Sequence, residues 1–318
     1  MIGLVVRRLL ALVPVALIVG TITFTLLHVA PGDPAAVMLG SEATPEQVAR
    51  ARERLGLDDP LLVQYPRWLL GILRLDFGDS LFLDRPVATA IAGRIVPTLQ
   101  LTLYAMVIAL VIGVPAGVIA AVRQNSLIDR LLMLLAVAGT AIADFFLAIL
   151  LVLLFAVTLR WLPSGGYVPL LDSPIDHARS MVLPAFALGL SIAGLPARLI
   201  RASLLDVLQE DYVRAAIARG LSPATVVVRH ALRNALLPAV TVLGYTLGDL
   251  LGGAVVVETV FNLPGMGQLV VNSIARRDFP VIQGVVMAIA GCYLLANLLV
   301  DVLYMVIDPR IRHGHVSR

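Results

Sequence analysis

No lysine occurs among the 318 residues, and every basic residue other than histidine is arginine. A phosphate-cradling P-loop, G-x-x-x-x-G-K-[ST], is therefore impossible in this chain. The zinc motif H-E-x-x-H and the nucleophile elbow G-x-S-x-G are also missing. His313 and His315 stand two apart in the tail, which is not helical ligand spacing. No catalytic residue, cofactor or resident metal is expected, and a membrane hydrolase is disfavoured. The one cysteine, Cys292, allows no intrachain disulfide and no multi-cysteine zinc site. It reads as a small hydrophobe in a helix packing face. Charge is scarce as well: 14% of residues are charged and 59% are hydrophobic. The mean hydropathy is +0.93, more apolar surface than a soluble domain of this length can bury.

Apolar runs of about 20 residues cross the hydrocarbon core as helices. Six are read at 9–30, 98–121, 131–159, 180–196, 235–257 and 281–307. The fourth is the shortest, with room to extend towards Ile200. The alternating ten-residue segments of a membrane barrel are absent. The expected fold is an all-α integral membrane protein with six transmembrane helices and both termini on one side. Assigning 1–8, 122–130, 197–234 and 308–318 to that side gives it 13 arginines against 5 acids. The other side holds 11 against 13. The positive-inside rule makes the first side cytoplasmic, in a cell or inner membrane. The net charge of +3 then follows from basic loops facing anionic lipid and calls for no nucleic acid. Arg7 and Arg8 before an apolar run have the look of a signal peptide. The run is too long for one and no small-residue cleavage site follows, so the first span is read as retained.

The division is then 1–30 as N-terminus and first span, 31–97 as an extracytoplasmic insertion, 98–307 as the transmembrane domain, and 308–318 as a cytoplasmic tail. Within the insertion, Thr44-Pro45-Glu46-Gln47 is a capping box with proline at the first helical position. The helix should run to Leu55, with Gly56 as its left-handed cap. The run around Trp68, Leu69, Leu70, Ile72 and Leu73 suits either a helix at the membrane surface or one packed on the bundle. Trp161 and Tyr167 in 160–179 fit an interfacial aromatic belt. Pro115 and Pro196 are candidate kinks.

Asp144, Asp249 and Asp301 are the acids inside the spans. Each costs a few kcal/mol at the bilayer centre unless it faces water or protein. For Asp249, amid Gly244, Gly248, Gly252 and Gly253, lining a path and making a packing hydrogen bond both stand open; Asp144 is the second candidate path residue.

Between the fourth and fifth apolar runs lies DYVRAAIARGLSPATVVVRHALRNALLP, a polar, arginine-bearing island. It reads as a helix over 204–219, a break at Gly220, and a second short helix after Pro223. Leu204, Leu205, Leu208, Tyr212, Ala215 and Ala216 fall near one stripe, flanked by Arg214 and Arg219. Alone, this suits a surface helix or a docking loop.

The island resembles the EAA-type coupling loop of ABC importer permeases. Arg214-Ala215-Ala216 followed by Gly220 matches its core, with arginine in the glutamate position. His230 and Arg233 depart from the pattern downstream, while Leu232 fits it. PGDP at 31–34, LGLDDPLLVQY at 55–65, DFGDS at 76–80, LPSGG at 162–166, GGAVVVETVFNLPGMG at 252–267, RRDFPVIQG at 276–284 and DPRIR at 308–312 extend the resemblance over nearly the whole chain. They resemble the B-type permease subunit of dipeptide, oligopeptide and nickel importers. Ala143 stands where that family usually has a helix-breaking proline, which implies a straighter third span. Asp249 stands where small or apolar residues are common.

The resemblance implies a pore subunit of an ATP-driven importer, not an enzyme itself. Its partners would be a homologous second permease, two ABC ATPase subunits and an extracytoplasmic binding protein. Asp211, Tyr212, Arg214, Ala215, Ala216, Arg219 and Gly220 would meet the ATPase. Peptides are the expected cargo, with nickel or other metal chelates and glutathione as alternatives. A stand-alone secondary transporter is the competing class, but no inverted repeat or paired intramembrane charges support it.

Overall fold

In the computed structural model, residues 2–29, 35–36, 44–80 and 82–307 are described; PGDP at 31–34, DPRIR, the two tail histidines and the Asp301 side chain lie outside the described part. The described residues are mostly helical, with one isolated bridge, Asp79 to Pro86, and no strand among them. The helices are α1 (Ile2–Val29), α2 (Pro45–Leu55), α3 (Leu61–Leu73), α4 (Val87–Val122), α5 (Leu127–Ala141), α6 (Asp144–Leu151), α7 (Pro174–Val207), α8 (Asp211–Ala218), α9 (Leu232–Val260), α10 (Met266–Arg276) and α11 (Phe279–Ile307). By length and composition, Val87–Val122, Pro174–Val207 and Phe279–Val300 can each cross a membrane. The pair Leu127–Ala141 and Asp144–Thr158 can cross as one bent span. In α1 the described apolar stretch is Leu12–Thr25.

The chain divides into two units. The first comprises Met1–Thr98 and Pro264–Leu295. Here α2 begins as its sequence dictates. Thr44 N–H donates to Gln47 Oε1 at 2.9 Å, Gln47 N–H donates back to Thr44 Oγ1, and Gly56 closes the helix at φ 64°. Helix α3 packs on its own unit: Trp68 Nε1–H donates to buried Gln283 at 3.0 Å, and the Trp68 and Tyr65 rings meet Phe24 at 5.6 and 5.3 Å. Trp68 thus makes the contact with neighbouring helices that was one of its two open placements. Two motifs far apart in sequence also meet here. Ser80 of DFGDS donates its hydroxyl to Asp278 of RRDF at 2.6 Å, both buried.

The second unit comprises Leu99–Leu263 and Ala296–Arg318. Its axis is α7, whose apolar window is 72% buried, so this helix is packed by protein where other spans leave faces for lipid. Leu101, Ala105, Met181, Leu188, Leu250, Ala254, Val257 and Phe261 form the core. Lipid tails are as apolar as leucine, so close approach must come from small residues. Gly189 lies against the Ala105 carbonyl, and Gly194 lies so tightly on the Ala136 carbonyl that no methyl group fits. The LPSGG motif is held the same way, with Gly165 against the Phe261 carbonyl, to which Gly166 N–H also donates at 2.9 Å.

Three expectations are corrected. The fourth span is not the shortest, for α7 runs 34 residues. The third is not straight: α5 and α6 meet at 103°. Ile142 and Ala143 are both extended, at ψ 127° and 138°, and two such residues end a helical hydrogen-bond ladder without proline. Finally, 204–219 is not one helix. α7 ends at Val207 and α8 starts at Asp211.

Candidate functional site

The polar island folds as a helical hairpin. Helix α8 closes in a Schellman motif: Gly220 N–H donates to the Ile217 carbonyl and Leu221 N–H to Ala216, with Gly220 at φ 80°. Only glycine holds that conformation without strain. Ser222 then caps the second limb, accepting from Thr225 N–H at 3.3 Å, and Pro223 takes the first helical position. This limb is not a separate short helix. It passes through a π-helical stretch, Val226–Ala231, directly into α9.

Inside the hairpin, Val213 and Ala216 pack on Val226. Leu204 packs with Val227, Ala231 and Ala235, so the expected single stripe is split between two small cores. Asn234 Nδ2–H donates to the Tyr212 hydroxyl at 2.7 Å and ties α8 to the start of α9. Of the seven residues expected to meet a partner, Asp211, Tyr212, Arg214, Ala215, Arg219 and Gly220 are exposed together. Ala216 is not, being 6% exposed. Ile217 and Leu221 join the exposed face at 56% and 39%. An exposed Tyr, Ile, Leu and Arg patch on a rigid turn has the composition of a protein-docking surface.

Asp144 and Asp249, two of the three acids expected inside spans, lie along one face of α9. The Asp144 carboxylate lies where a side chain at Gly253 would stand, 2.7 Å from the position of a Cβ there. Asp249 precedes Gly253 by four residues, so it shares that stripe of α9. Asp249 is exposed and Asp144 half-buried.

Sequence reading missed two constellations. Buried His177 is held by Nδ1 against the Val168 carbonyl at 2.7 Å and by Nε2 against the Tyr104 hydroxyl at 3.1 Å. Tyr167 stacks edge-on to the same imidazole and donates to Gln100 at 2.9 Å; burial, then Tyr104 and Asp172, push its hydroxyl above the ordinary tyrosine range. The second is a bidentate pair between Arg201 and Asp129 at 2.6 and 2.8 Å. Its one sequence signal is Ser126, three residues before Asp129, a cap that fixes the aspartate in the first turn of α5.

Residues 113–313 match the family of binding-protein-dependent transport system inner membrane components, and residues 1–102 match that family's N-terminal domain. The chain is 45% identical over 313 residues to a putative peptide transport system permease protein of Brucella abortus (strain 2308), covering 98% of this chain and 100% of that one. It has the same identity and coverage with the glutathione transport system permease protein of Escherichia coli (strain K12). In fold it is similar to a chain of the inward-facing MetNI methionine ABC transporter. The TM-score is 0.57 at 19% identity, covering 69% of this chain and 96% of the other. The chain belongs to the family of binding-protein-dependent transport system inner membrane components.

Proposed function

We propose that this permease forms, with a homologous second permease, the path by which an ATP-driven importer takes up di- and oligopeptides. The observation that carries the reading is the exposed face of the α8–Gly220–Pro223 hairpin, in a chain with no lysine for a P-loop. The energy must come from partner ATPases, and the hairpin is the docking surface. Two ATPase subunits would each hold one permease, with an extracytoplasmic binding protein delivering cargo. Arg214 and Arg219 then call for acidic groups in the ATPase groove, while Tyr212, Ile217 and Leu221 supply the apolar contact.

The arginine distribution supports a cytoplasmic side for the hairpin and both termini. Helices α1, α4, the α5–α6 pair, α7, α9 and α11 are then the six spans. Asp144 and Asp249 line the path, where water and cargo meet the cost of two carboxylates in the bilayer. The names of the relatives support a peptide cargo, and glutathione is itself a tripeptide.

The test is Gly220→Val in the reconstituted importer. A β-branched residue at φ 80° is strained by about 1–3 kcal/mol, although nothing lies within 4 Å to obstruct it. The variant should assemble and hydrolyse ATP while uptake fails. Normal uptake by it would remove the hairpin from the mechanism.

A further inference from the structure

Arg201 lies in the last two turns of α7, and Asp129 in the first turn of α5. The guanidinium clasps the carboxylate through Nε and Nη2 at 2.6 and 2.8 Å, and Asn125 N–H adds a third bond at 3.0 Å. Asp129 is 3% exposed. A buried ion pair is a weak source of net stability, since well-packed apolar residues often serve as well. Its bidentate geometry does, however, fix one position and orientation.

What it fixes is α5 to the hairpin-bearing end of α7. Gly194 against the Ala136 carbonyl, and Gly139 near the Leu190 carbonyl, hold the two helices backbone to backbone along their length. One turn beyond Arg201, Leu204 packs on Val227, Ala231 and Ala235, the second limb of the hairpin. Hairpin limb, α7 end and α5 are therefore one packed body. Past the extended pair Ile142–Ala143, α6 stays on α7 and gains α9 as a second neighbour. Ala148 and Leu151 of α6 enter the core with Leu250 and Ala254 of α9, and Asp144 abuts Gly253. The Ala143 carbonyl accepts from the N–H groups of Phe146 and Leu147, so the start of α6 is closed by backbone alone. Two extended residues between one helix held on α7 and one shared between α7 and α9 are where a hinge absorbs rotation.

We propose that Asp129 and Arg201 are positioning residues of transport. Their pair clamps α5 to α7, so that displacement of the hairpin is delivered to the Ile142–Ala143 hinge and moves Asp144 relative to α9. This rests on the hairpin being the ATPase-docking element.

The experiment measures substrate taken up per ATP hydrolysed by the complete importer in proteoliposomes. Three forms are compared: wild type, the paired replacement Asp129→Leu with Arg201→Met, and Arg201→Lys. The apolar pair keeps the site filled without leaving a lone charge. It should assemble with the ATPases and hydrolyse ATP, while uptake per ATP falls by about fivefold or more. Arg201→Lys keeps the charge but not the fork, and should fall between. An intact apolar-pair complex with the wild-type ratio overturns the clamp. If that pair does not assemble, Arg201→Lys decides, and a wild-type ratio from it overturns the clamp equally. Wild-type uptake that ignores ATP would instead sink the import reading, a separate outcome from an ATP-driven importer indifferent to these variants.

Discussion

At the scale of single residues, glycines on α7 do what side chains do in a soluble core. Gly194 meets the Ala136 carbonyl of α5 so closely that a Cβ would overlap it. Gly194→Ala must push the helices apart, an overpacking cost of about 1–3 kcal/mol. Gly252 on α9 is exposed, and nothing lies within 4 Å of where a methyl group would stand. Gly252→Ala should therefore gain up to about 1 kcal/mol of helix propensity. Thermal unfolding of the purified chain in mild detergent should separate the two in opposite directions; equal midpoints would contradict the α5–α7 contact. Some single residues were legible in advance. Thr44, Gln47 and Gly56 form the helix ends their order implies, and Gly220 makes the turn, because caps depend on neighbours within a few positions. The Asp129–Arg201 pair was not legible. Its partners are 72 positions apart, and the contact exists only once α5 lies on α7.

At the scale of elements, two helix breaks were invisible for the same reason. Leu208, Gln209 and Glu210 are good helix formers, yet the chain turns there so that Leu204 and Val213 can enter separate cores. Ile142–Ala143 contains neither proline nor glycine, yet α5 and α6 diverge by 103° there, with α6 keeping α7 as a neighbour and adding α9. Tertiary packing overrides propensity at both places. Ala143 has φ −66° with an extended residue before it, the geometry proline demands. Ala143→Pro should thus preserve the bend and stabilise the chain by about 0.4–1 kcal/mol through the unfolded state. Unfolding in detergent checks this, and a clear loss of stability would mean that α5 and α6 straighten in part of the population.

At the scale of the molecule, composition settles the broad class and local order settles very little of the mechanism. A chain with 59% hydrophobic residues suits a membrane, and its family is a transport system's inner membrane component. In the proposed importer, the exposed arginine-bearing hairpin would take in the energy of ATP hydrolysis, and Asp144 and Asp249 would meet the cargo. The measurement that tests this most directly is purification of the chain from its native membrane in mild detergent, with mass spectrometry of what accompanies it. The account predicts a homologous permease and two P-loop ATPases in the complex, with the ATPases lost when the hairpin is altered at Tyr212 and Arg214. A chain that purifies intact and alone under every mild condition would contradict it and favour a stand-alone transporter.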